Sequence, residues 1–269
     1  MASANGNGRH VRRALVTGAS AGIGLAFAEA LAREGWALRL VARRQAHLEE
    51  IAARLRREHR ARVDVLPADL TEPAGLAAVE AALAHDGALE LLVNNAGMGD
   101  FGHFVERDRA REDSEIRLNV LAVVRLTHAA LPGMVRRGRG AVINVSSLAA
   151  FAPCPHFASY GATKAFLNSF TEALHGELRG TGVRMQALCP GLTHTEIFDR
   201  AGADTSELPE FLWMEADAVV AESLAALACG TVVCVPGIGN RAISTMAQIL
   251  PHEVQLRLAS LFTTRVKER

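Results

Sequence analysis

Tyr160 and Lys164 stand four residues apart in "FASYGATKAF", Phe157 to Phe166, a segment otherwise made of small and apolar side chains. At i and i+4 of a helix such a pair shares one face, with Cβ atoms about 5–6 Å apart. An ammonium beside a phenol favours the phenolate and lowers its pKa from about 10, which makes the pair a candidate general acid and base. The spacing alone would also fit an amphipathic helix with an incidental Tyr and Lys. What precedes it argues for chemistry: the run "GAVINV" ends in Ser146-Ser147, and the chain returns through "LAAFAPCPHF" to Tyr160. A serine hydroxyl at that place can hold a carbonyl oxygen while the tyrosine delivers a proton.

A second constellation lies near the N-terminus. "TGASAGIG", Thr17 to Gly24, follows an apolar run and opens a helical pattern. Glycines at 18, 22 and 24 permit a tight turn and close approach to a pyrophosphate, while a helix N-terminus offers free N–H groups to phosphate. The spacing G-x-x-x-G-x-G departs from the usual G-x-G-x-x-G, but the strand-loop-helix context is the one a dinucleotide site requires. About 20 residues on, where an acid would take the ribose hydroxyls of NAD, the sequence reads "LVARR". Arg43 and Arg44 offer fixed positive charge to a 2′-phosphate, so NADP(H) is the expected cofactor. A solvated arginine pair at a helix start is the alternative.

These residues need elements to position them. From Arg12 onward short apolar runs alternate with longer segments of period 3.6: "ALVTG", a helix over 22–34, "LRLVAR", a helix over 45–59, "VDVLPAD", a helix near 73–85 and "LELLVNNAG". Two helices over 105–137, "GAVINVSS", a helix over 159–179, "VRMQALCPG", a helix over 215–228, "TVVCVPG" and a helical tail follow. The strands read as unbroken apolar runs, as strands covered on both faces do. The pattern predicts an α/β fold, a doubly wound parallel sheet of Rossmann type with about seven strands and helices on both faces. Residues 193–215 break the rhythm with mixed polar and aromatic side chains and read as a substrate lid. The expected organisation is a disordered lead-in at 1–10 and one dinucleotide-binding and catalytic domain over 11–269, since nothing marks a second boundary.

Composition narrows the function classes. Of 269 residues, 29 are Lys or Arg and 29 Asp or Glu, so no global field favours nucleic acid or an anionic membrane. Cys154, Cys189, Cys229 and Cys234 lack C-x-x-C spacing, which points to reduced thiols and a cytoplasmic setting. The 10 histidines show no ligand spacing, so no metal is expected. No apolar run was found to reach the ~18 residues of a membrane span.

"TGASAGIG", "NNAG" (Asn94 to Gly97), Asn119 in "RLNV", Ser147, "YGATK" and "PGLTHT" (Pro190 to Thr195) together resemble the short-chain dehydrogenase/reductase family over roughly Arg12 to Thr195. The resemblance implies Tyr160 as acid/base, Lys164 on the nicotinamide ribose, Ser147 orienting the carbonyl with Ser146 its structural neighbour, and Asn119 holding a relay water. For the cofactor it implies contacts from Gly18, Ser20, Gly22, Ile23 and Gly24 at the phosphates and from Arg43 and Arg44 at the 2′-phosphate. Asp69 and Leu70 would meet adenine; Asn95, Ala96 and Gly97 would line its ribose; Pro190, Gly191, Thr193 and Thr195 would sit beside the nicotinamide. Met98, Phe101, Leu148, Phe151, Phe157, Phe198, Phe211, Leu212 and Trp213 are candidate pocket residues for a small hydrophobic carbonyl or alcohol substrate. His156 and His194 fall near the site without a visible partner. The chain is similar to a bacterial branch of general reductases, related to those for 3-oxoacyl or steroid-type substrates. A homodimer or homotetramer is implied, and a non-catalytic NADP(H)-binding regulator is the competing function.

Overall fold

The computed structural model of the chain describes residues 11–263 and 266–268; the lead-in at 1–10 lies outside them. Six strands, β1 (Arg13–Thr17), β2 (Ala37–Ala42), β3 (Val63–Pro67), β4 (Leu89–Asn94), β5 (Gly140–Val145) and β6 (Val183–Leu188), are separated by α1 (Gly22–Arg33), α2 (Gln45–His59), α3 (Pro73–Ala84), α4 (Arg109–Ile116), α5 (Val123–Arg137) and α6 (Ala158–Glu177). After β6 come α7 (Ile197–Arg200), β7 (Ala203–Asp204), α8 (Ala216–Ala228), β8 (Val233–Cys234), α9 (Ile238–Ile249), α10 (His252–Thr263) and β9 (Lys267–Glu268).

The seven-stranded sheet runs β3-β2-β1-β4-β5-β6-β8, and every pairing in it is parallel. Neighbouring side chains along a strand serve opposite faces. Ala14, Val16, Leu91, Val93 and Ile143 join the core under α1, α2 and α8, whereas Leu15, Leu92 and Val142 join the core under α3 and α5. Both layers are apolar, which is why the strands carry no alternation. Strand order reverses between β1 and β4, so the crevice for ligands opens beyond their carboxyl ends.

Two expectations are corrected. The two helices foreseen over 105–137 are a single 3-10 turn (Phe104–Glu106) followed by one continuous helical stretch, in which a π-helical segment, Arg117–Ala122, joins α4 to α5. This stretch, Arg109–Arg137, is also long and apolar enough to cross a membrane, with an 18-residue window of mean hydropathy 1.4, contrary to the reading that no run was. Its apolar side packs on α3, β4 and β5, as a core helix of a sheet protein does. The irregular region after β6 contains a strand that sequence pattern did not show: β7 pairs antiparallel with β9 from the chain end.

Candidate active site

Four loops at the carboxyl edge build the site. The first, between β1 and α1, is locked to the loop after β4 by neutral hydrogen bonds. Thr17 Oγ1 accepts from the N–H groups of Asn95 (2.9 Å) and Ala96 (3.0 Å), and Asn95 Nδ2 donates to the carbonyls of Thr17 (2.9 Å) and Gly18 (3.2 Å). Space is as important as bonding. A Cβ on Gly24 would lie 2.3 Å from the Gly18 carbonyl oxygen, and one on Gly18, whose φ is +64°, would lie 2.7 Å from Asn95 Nδ2. Gly22 faces Thr195, whose Cγ2 would be 2.8 Å from an added Cβ. Thr195 therefore reaches the glycine loop from the far side of the crevice.

Helix α1 starts at Ala21 with no side-chain cap and no acid in its first turn, so its first-turn amides keep their capacity for an anion. Arg43 and Arg44 follow β2 at the same edge, both exposed. A cradle that rejects a methyl group, an uncapped helix start and two solvated guanidinium groups fit a dinucleotide phosphate. His47, from α2, adds a tie with its Nε2 3.1 Å from the Ser20 carbonyl oxygen. Asp69 Oδ1 accepts from the Thr71 N–H at 2.9 Å and from its hydroxyl at 2.6 Å, and Leu70 is buried in the core. These two shape the loop after β3.

The candidate catalytic groups meet across β5 and α6. Ser147 caps the short 3-10 turn Leu148–Ala150, its Oγ accepting from the Ala149 N–H at 3.1 Å, and its hydroxyl is near enough to the Tyr160 phenol to favour the phenolate. Ser146 turns away, donating to the Lys164 carbonyl at 2.9 Å. Lys164 is buried; its Nζ donates to the Val145 carbonyl at 2.8 Å and lies 5.4 Å from the centre of the Tyr160 ring. Asn119, carried by the π-helical segment, accepts from the Met98 N–H at 3.0 Å and donates to the Met98 carbonyl (2.7 Å) and Thr163 Oγ1 (3.1 Å). Its side chain thus ties the β4 loop to α6. Gly97 lies against both Asn119 and Lys164, and Gly99 against the Tyr160 ring, where a Cβ would come to 3.0 Å.

The electrostatics correct one expectation. Burial pushes the Tyr160 phenol up to about 12, against the Ser147 hydroxyl, and Lys164 is not among the groups that lower it. The ammonium lies over the ring and donates to the Val145 carbonyl. Burial also drives Lys164 down to about 8, with the Glu115 carboxylate opposing.

On the substrate side, Phe157 stands 5.7 Å from the Tyr160 ring and Phe101 5.0 Å from Phe157. These rings pack with Leu192, Phe198, Leu208 and Trp213 from the segment after β6 in a small separate core. That segment is tied down by Phe101 N–H donating to the Ala201 carbonyl (2.9 Å) and by a bridge between the buried Thr193 and Met214. Two candidates are corrected: Phe211 is 83% exposed, and Phe151 lines a groove between α6, β8 and α9. His156 packs between Phe101 and His103 at a φ of +65°. His194, which had no partner visible in sequence, stacks on Trp213 and points Nε2 to Glu210 Oε1 at 3.1 Å. His194, Thr195, Phe198, Leu208 and Trp213 line a cavity of ≈ 350 Å³.

The family model for short chain dehydrogenases matches residues 12–206. The chain belongs to the short-chain dehydrogenase family. Among curated relatives of this short-chain dehydrogenase, sulfoacetaldehyde reductase 2 of Chromohalobacter salexigens is 35% identical over 79% of the chain and 85% of the relative. A short-chain dehydrogenase from Sphingobium yanoikuyae, solved in complex with NADPH, is 40% identical, with a TM-score of 0.82 over 93% of this chain and 96% of that one. A bulky-bulky ketone specific alcohol dehydrogenase from Comamonas testosteroni is 33% identical, with a TM-score of 0.78 over 95% of both chains. Membership makes the chain an oxidoreductase. Sequence reasoning missed Thr17, Thr163 and Gly99, whose parts in the site depend on contacts between distant loops. It also missed the buried charges Arg107 and Glu115 beside them.

Proposed function

We propose that the chain is an NADP(H)-dependent carbonyl reductase or alcohol dehydrogenase for small hydrophobic substrates, with Tyr160 as its acid and base. The nicotinamide, when bound, exchanges hydride with the carbonyl carbon. The chain's own residues do the rest. Ser147 Oγ supports the oxygen as negative charge develops, and Tyr160 Oη gives that oxygen its proton in reduction and takes it back in oxidation. Lys164 acts from beneath the phenol ring. With the phenol pushed up by burial, a cationic charge brought to the crevice would make its proton more mobile, and an oxidised nicotinamide would supply one.

The carrying observation is the convergence of Ser147, Tyr160 and a buried Lys164 at the sheet edge that also holds the glycine cradle. Arg43 and Arg44 support NADP(H) over NAD(H), as does the NADPH held by the Sphingobium relative. The aromatic core of Phe101, Phe157, Phe198 and Trp213 supports an apolar substrate. Residues 193–215 act as the lid of one domain over 11–269. Self-association runs through α5 and α6, where Val135 and Phe166 remain exposed, and the setting is cytoplasmic.

NADPH oxidation measured over a panel of ketones, aldehydes and acyl thioesters tests the activity. Tyr160→Phe should retain NADPH binding while kcat falls by about 10²–10⁴-fold. Near-native turnover by that variant would end this reading, and binding of NADPH without turnover of any panel member would favour the regulator.

A further inference from the structure

Beside the reacting pair lies a group of buried charges that the mechanism does not use. Arg107, with a side chain only 4% exposed, faces three acids. Its Nε is 2.7 Å from Glu112 Oε1, and its Nη2 is 3.3 Å from Glu115 Oε2 and 3.4 Å from Asp100 Oδ2. Arg111 joins from the surface, 3.1 Å from Asp100 Oδ1. Glu115 is fully enclosed at 0% exposure, and its Oε1 is a buried oxygen without a hydrogen-bond donor among the described residues.

The group is placed where it can matter. Glu115 lies one turn before Asn119 on the same helical stretch, and α4 packs against α6. Ser159, the residue before Tyr160, donates its hydroxyl to Glu112. The charges around Glu115 are Arg107 from the loop before α4, Glu112 on α4 and Asp100 from the loop after β4, and its own charge reaches Tyr160 and Lys164 on α6. Arg107 and Arg111 supply two positive charges to three carboxylates, and an acid without exposure has no water to help it ionise.

We infer that Glu115 is a positioning residue for the Tyr160 and Lys164 pair, a buried acid whose charge sets how readily the phenol and the ammonium release a proton. This rests on the function proposed above. Burial raises Glu115 to about 7 although Arg107 opposes it, so the acid loses its proton well before the phenol as pH rises. Its carboxylate then holds the proton on both neighbours: it opposes the phenolate and favours the ammonium. Lys164, pushed down to about 8 by burial, thereby keeps its charge further into the alkaline range.

Tyr160 is the only tyrosine of the chain, so tyrosinate absorbance reads it alone and needs no substrate. Rapid pH jumps on the full chain, read before alkaline unfolding, give the phenol midpoint. In Glu115→Gln the midpoint should fall by about one pH unit, the size expected for removing one charge in a partly desolvated site, with an unchanged melting temperature near pH 6. A midpoint within about 0.2 of wild type, far less than one charge in a desolvated site would give, would overturn the inference. Tyr160→Phe must abolish the signal. Should Glu115→Gln not fold, infrared spectra of the wild type decide: a protonated-carboxyl carbonyl band that persists about 1–2 pH units above the ordinary carboxylate range and is lost through about 7 supports Glu115, and no such band in that window overturns it. Turnover by Tyr160→Phe would instead sink the proposed function and leave the titration result standing.

Discussion

The cofactor half of the crevice and its substrate half are held by different physics. On the cofactor half, the loops after β1 and β4 meet through neutral hydrogen bonds from Thr17 and Asn95, with glycines where the backbones approach. On the substrate half, aromatic rings from three loops pack on one another, and a dense charge group anchors α4 to the start of α6. The first arrangement tolerates almost no added atom. The second relies on side chains that can repack, which is the property a site needs to admit substrates of different shape.

Gly24→Ala should give the largest effect, because the new methyl would meet a backbone oxygen 2.3 Å away, and a carbonyl cannot swing aside as a side chain can. Overpacking of this kind costs on the order of 3 kcal/mol, so a melt should show Tm lower by about 6–12 °C, with NADPH affinity falling together with it. A variant as stable as the parent, binding NADPH normally, would show that the glycine loop is looser than its contacts imply.

Arg43→Asp breaks the same half without touching its packing, since the side chain is exposed. A charged hydrogen bond to a 2′-phosphate is worth about 1.5–3 kcal/mol, so the KM for NADPH should rise on the order of 10–100-fold while that for NADH changes little. Equal effects on both cofactors would remove the 2′-phosphate from the account. The contrast with Gly24 separates what shapes the cradle from what selects its occupant.

The two halves were also unequally legible in sequence. The strands could be read because each is covered on both faces, and the glycine loop because its residues are consecutive along the chain. Tyr160 and Lys164 followed from an i,i+4 spacing on one helix. Their mutual electrostatics did not, because they depend on burial: the ammonium is held at the Val145 carbonyl, and desolvation raises the phenol. The stretch "ERDRAREDSE", Glu106 to Glu115, has the composition of a solvated helix start, yet Arg107 and Glu115 point inward. Only the approach of α6 and the β4 loop makes that face an interior. The β7 and β9 pairing joins residues more than 60 positions apart along the chain, so local pattern carries no trace of it.

The smallest change sharpens the substrate side. Trp213 is half-buried, standing edge-on to Phe198 at 5.6 Å and stacked on His194 at 5.0 Å. An aromatic pair contributes about 0.5–1.5 kcal/mol beyond its area, so Trp213→Ala should raise the KM for an apolar ketone roughly 2–10-fold. The affinity for NADPH should not move, since the glycine cradle is held by Thr17 and Asn95 and not by this ring. Limited proteolysis gives the independent reading: cleavage within 193–215 should be faster in the variant and slowed by NADPH in the parent, because Thr195 lies against Gly22 and the segment after it is anchored through Phe101. If Trp213→Ala weakened NADPH and ketone equally, the two halves would be one cooperative unit, and the division between a rigid cradle and an adaptable cover would have to be abandoned.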